Sequence, residues 1–182
     1  MREAFSEPFS REPVAVLLHP TLVPVIDVFR SLSSLDDHYD LALLDAPELA
    51  LAKYTTPEAA KGIVSDALLL AFALTRQRGR PFSHRQIGSR HGSLDEYCLL
   101  VLIEASRKPG SDVAREAAAY LDLAPPEVLA TLTGELVRQI DRGSLAFDPP
   151  TLADLRAITG QGTSEEVVIE TALAKTEFNF RL

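Results

Sequence analysis

The chain has 182 residues, 46% apolar and 24% charged, with a formal net charge of −8. This size and balance suit one globular domain with its own core and exclude a disordered chain. The negative charge argues against a general nucleic-acid binder, which needs a basic face to neutralise phosphates.

Residues 1–12 are polar, with Pro8 inside and Pro13 following, and read as an extended arm. A single mainly helical domain over 13–182 follows. The run at Val14–Leu18 is too short for a signal-peptide core, follows Glu3, Glu7 and Glu12, and stops at His19-Pro20. No apolar stretch approaches the roughly 20 residues of a membrane span. One cysteine, Cys98, leaves no internal disulfide, and it sits in the apolar run Tyr97–Ile103, where a buried inert thiol is expected. A cytoplasmic setting and no membrane partner are the resulting expectations.

Residues 13–45 admit two readings. Thr21 to Leu35 reads as a helix with Thr21 as N-cap and Pro24 in the first turn. The flanking runs 13–18 and 39–45 could be strands, giving a small βαβ element attached to a helical body. Leucine and alanine dominate the second run, however, and favour helix. The fold expected is therefore all-α, a bundle of six or seven helices.

Downstream the punctuation is sharper. Thr56-Pro57-Glu58 is a cap, an N1 proline and a first-turn acid, opening a helix that runs to about Arg78 before Gly79. Ser93-Leu94-Asp95-Glu96 is a capping box for a helix closed by Lys108-Pro109-Gly110. Ser111-Asp112 caps the next helix, and Pro125-Pro126-Glu127 opens another that stops at Gly143. A short helix over 150–159 ends at Gly160, and a second capping box at Thr163–Glu166 opens a helix to about Lys175. The helices at 57–78 and 94–107 are apolar nearly all round, which predicts central positions or a face buried against a second copy, hence a homodimer. By contrast, Glu127–Arg142 is amphipathic. Val128, Leu132, Leu136 and Ile140 form its apolar row, and Glu135 and Arg138 are spaced to pair.

The segment 112–147, with a short helix, a proline turn, a second helix and Arg142-Gly143-Ser144-Leu145 after it, resembles the helix-turn-helix of the excisionase and MerR families. That resemblance implies a DNA-binding transcriptional regulator. A recognition helix needs Arg, Lys, Asn or Gln near its start, whereas this one begins Pro126-Glu127-Val128-Leu129-Ala130.

No histidine pair at i, i+4, no nucleophile motif and no glycine-rich phosphate loop is present, so neither a metal nor a cofactor is expected. The Asp36-Asp37-His38-Tyr39-Asp40 cluster reads as a solvated acidic turn. An enzyme without a recognisable motif remains a third class, behind the regulator.

The unusual segment is electrostatic. Between Asp66 and Asp95 there is no acid, yet Arg76, Arg78, Arg80, Arg85 and Arg90 are present with His84 and His91. Two origins are open: arginines that pair with the protein's own carboxylates, or a surface for an anionic ligand or acidic protein. All five bases are arginine, whose fork suits carboxylate and phosphate. Arg80, His84, Arg85, Arg90 and His91 are the candidate binding residues. The function expected is thus a helical regulatory or protein-interaction protein with an arginine-rich binding loop.

Overall fold

A computed structural model describes residues 15–35, 41–123, 127–145 and 151–160. The arm at 1–12, the acidic turn at 36–40 and the predicted helix after Thr163 lie outside these residues. Among the described residues the chain is a helical bundle with seven α-helices and one two-stranded ribbon.

Helix α1 (Val23–Leu35) begins two residues after the predicted cap, because Thr21 is engaged elsewhere: its hydroxyl is 2.8 Å from His19 Nδ1. The ambiguous run after it resolves as helix. Leu41–Leu44 forms a 3-10 turn that leads into α2 (Asp45–Leu51). The first run forms a strand of two residues, β1 (Val16–Leu17). It pairs antiparallel with β2 (His91–Gly92), so the βαβ alternative does not occur. Close packing fixes that ribbon, since a Cβ on Gly92 would meet Leu18 Cδ2 at 3.0 Å.

The capped helices form where their signals stand. Thr56 accepts from Ala59 N and opens α3 (Pro57–Gln77), and Ser93 opens α4 (Leu94–Ala105) through a complete capping box. Ser111 caps α5 (Asp112–Tyr120), followed by α6 (Glu127–Arg142). Thr151 caps α7 (Leu152–Thr159), and Gly160 closes it in the left-handed conformation at φ 75°, the usual glycine stop.

Helix α4 is the axis of one half of the bundle. Every residue from Asp95 to Glu104 is buried, and α5, α6 and α7 pack on it. Its apolar surface is thus covered within the chain. Helix α1 is the other element buried on all sides, from Val23 to Leu32, against α2 and α3. Helix α3 packs on α1, α2 and α6 but exposes Leu69 and Phe72. The amphipathic α6 buries Leu129, Leu136, Val137 and Ile140, and Arg138 reaches Glu135 as its spacing predicts. Cys98 is fully buried, and burial pushes its thiol up to about 12, the inert state expected of a core cysteine. No helix among the described residues is long and apolar enough to cross a membrane.

These positions separate by energy. Ile103 is completely buried and Leu69 is 53% exposed. Ile103→Ala should destabilise by about 2–5 kcal/mol through lost burial and a cavity. Leu69→Ala should stay within about 0.5 kcal/mol. Urea unfolding of both variants checks the assignment; similar losses would mean that Leu69 is covered in solution.

Candidate functional site

Four charged side chains are taken out of water where α1 meets the start of α4. Asp27, Arg30, Asp95 and Glu96 are 7%, 1%, 2% and 0% exposed. A buried charge is tolerated only when paired and hydrogen-bonded, and here each one is. Arg30 Nε and Nη2 donate to Glu96 Oε1 and Oε2 at 2.7 and 3.0 Å, and Nη1 donates to Asp27 Oδ1 at 3.0 Å. Asp27 and Arg30 are three apart on one face of α1, and Asp95 and Glu96 lie in the first turn of α4, where the helix dipole favours anions.

The acid-free segment 78–92 wraps over these carboxylates. Ser83 N donates to Asp95 Oδ2 at 2.8 Å, Arg85 N to Glu96 Oε1 at 3.1 Å and Gly88 N to Asp27 Oδ1 at 2.9 Å. Arg30 also donates to the carbonyls of Ser89 and His91 at 2.9 and 3.3 Å. Ser93 Oγ donates to Ser83 O at 2.5 Å, and Leu18 N donates to Arg90 O at 2.8 Å. Gly88 has φ 79°, a turn conformation that glycine adopts without strain. The segment has almost no regular secondary structure, yet its backbone is fixed by side chains beneath it.

Pairing with the protein's own carboxylates occurs at two of these arginines. Arg78 is buried and donates through Nη2 to Asp95 Oδ2 at 2.8 Å, with its guanidinium stacked over Phe82 at 5.0 Å. Arg80 donates to the same carboxylate at 2.9 and 3.1 Å and to Tyr120 O at 3.1 Å, while staying partly exposed. Arg85 is half-buried. His84, Arg90 and His91 are exposed. Burial pushes the Asp95 carboxyl up, but the hydrogen bonds from Arg80, Ser83 N and Arg78 outweigh it and hold it below the ordinary range.

Beside this network lies a cavity of about 470 Å³ between α1, α3 and the loop. Phe29, Leu32, Ala71, Phe72, Leu74 and Phe82 supply its apolar wall, and Arg78, Arg80 and His84 its polar side. Arg80 and His84 therefore join a concave site, whereas Arg85, Arg90 and His91 do not line it. Sequence reasoning missed Arg78 as a site residue and Arg30 altogether. An arginine and an aspartate three apart beside the apolar residues Val25, Ile26, Val28 and Phe29 of α1 were the available signal.

The segment that resembles a helix-turn-helix packs on α4 through both α5 and α6. Arg115 pairs with Asp112, and Gly143 lies against Thr55, where a Cβ would approach Oγ1 to 2.7 Å. Among the described residues no three His, Cys, Asp or Glu side chains come together as a metal site. No family model, curated protein or solved structure matches the chain.

Two outcomes follow from the network. Arg30→Met leaves Glu96 and Asp27 buried without their cation and should cost about 3–5 kcal/mol, read from urea midpoints; a loss under about 1 kcal/mol would mean that backbone amides suffice. Asp95 has a depressed folded pKa, so the unfolded chain holds that proton more tightly. Its contribution is complete well above the unfolded value of about 3.9 and is lost as pH falls through the folded value. Asp95→Asn should lower stability at pH 7 and flatten its decline below about pH 4. Parallel curves for the two proteins would refute this.

Proposed function

We propose that the chain is a helical regulatory binding protein that captures an anionic ligand or acidic partner protein at the arginine loop. One observation supports it above all: the loop's backbone amides point inward to buried carboxylates, while His84, Arg90 and His91 face water. The conformation is set before a partner arrives, so little ordering entropy is lost on binding. A positive stretch on a protein of net charge −8 concentrates acidic partners at one place. Arginine forks supply bidentate contacts to oxyanions.

Arg90→Ala with His91→Ala removes an exposed guanidinium and an exposed imidazole that the buried network does not use. Their loss should leave stability within about 1 kcal/mol. Poly-L-glutamate, an acidic chain without a fold of its own, should bind the variant about fivefold more weakly at physiological salt, measured by fluorescence anisotropy. Equal binding would remove this face from the proposal.

A further inference from the structure

Among the described residues, the network is neutral as a whole: Arg30, Arg78 and Arg80 face Asp27, Asp95 and Glu96. Its two halves are not. Arg30 meets two carboxylates, and that negative excess receives the amides of Arg85, Gly88 and Ser93. On the other half two guanidiniums share Asp95, and Asp122 adds a weaker attraction on Arg80, so Arg78 is the less fully compensated of the two. Arg78 carries the strain of this arrangement. Among the described residues only its Nη2 is satisfied; Nε and Nη1 are buried and lack a hydrogen-bond partner there. Unsatisfied buried donors on a charged group are costly, and their satisfaction by an incoming acceptor is correspondingly favourable.

The cavity beyond Arg78 falls in the size range of small-molecule sites and has their composition, an apolar wall with a few polar groups at one side. We propose that it binds a small monocarboxylic acid with an apolar body, its carboxylate against Arg78 and its hydrocarbon along Phe29, Leu32 and Phe72. One guanidinium with two open donors selects a monoanion over a phosphate dianion. The wall selects a hydrocarbon body over a bare ion. Phe82, stacked on the guanidinium from a loop without regular structure, shields the donors, and its ring turns aside as the carboxylate enters. Such a ligand would occupy the inner side of the loop, away from Arg90 and His91. The inference rests on the anion-binding reading above and gives it a ligand class.

The test uses octanoate as the probe, with octanol, acetate and inorganic phosphate as comparisons, by isothermal titration calorimetry on the full chain. Octanoate should saturate at one site. Octanol, without the charge, and acetate, without the body, should each bind at least about tenfold more weakly. Inorganic phosphate should not compete. Arg78→Met should abolish octanoate binding, but it also disturbs Asp95. Thr75→Trp therefore serves as the second variant: Thr75 is exposed at the cavity wall and outside the network, and the indole fills the space. It should abolish octanoate binding and leave poly-L-glutamate binding unchanged. No octanoate binding by a wild-type protein that still holds poly-L-glutamate overturns the inference alone. Failure of both overturns the binding reading as well. Equal affinity for octanol would make the site an apolar pocket in which Arg78 plays no part.

Discussion

The bidentate pair of Arg30 with Glu96 is the interaction on which the rest of the molecule depends. It joins α1 to the start of α4 across 66 residues of sequence, at 2.7 and 3.0 Å with both side chains out of water. Glu96 serves two structures at once. Its carboxylate closes the capping box of α4 by accepting from Ser93 N at 2.7 Å, and it anchors the arginine loop through Arg85 N. Helix start, loop path and interhelix contact are therefore one set of bonds. Removing either partner leaves a buried charge, so this arrangement has few half-formed versions. Such pairs add less to net stability than well-packed apolar residues would, and their clearer effect is to fix one geometry.

The fold was legible wherever the signal is local. Caps at Thr56, Ser93 and Ser111 and the stop at Gly160 act within four residues, and each helix begins or ends there. Apolar excess was legible as burial but not as a partner. Helix α4 meets its cover in α5, α6 and α7, while α1, whose Arg30 and Asp27 break an apolar run, is buried just as fully. The strand-like run before α1 pairs with the loop rather than with a neighbour in sequence, and that pairing is a long-range event.

The candidate site was legible as a charge and not as a geometry. A run of arginines without acids announces a local positive field, and composition carries no information about which guanidinium turns inward. Arg78 and Arg80 differ by two positions, yet one is buried under Phe82 and the other partly meets solvent. What decides is the end of α3. Arg78 is its C-cap, with its N–H still bonded to Leu74 O, so its side chain leaves from the rigid end of a helix toward α4. Arg80 lies beyond Gly79, where the chain has already turned along Asp95 and Tyr120.

The cavity and the network share a wall, and this makes the fold's stability and its binding chemistry one electrostatic problem. Three carboxylates of α1 and α4 would repel one another without cations between them, so arginines must come in from the loop. Arg30 alone cannot satisfy all three, because its fork is already divided between Asp27 and Glu96. Asp95 must therefore draw on Arg78 and Arg80, and two bulky planar groups cannot both place every donor on one carboxylate. The remainder falls to Arg78, whose Nε and Nη1 stay unmatched at the edge of an apolar cavity. Folding these acids into the interior thus leaves unmatched donors on Arg78, and the concave space opens beside it.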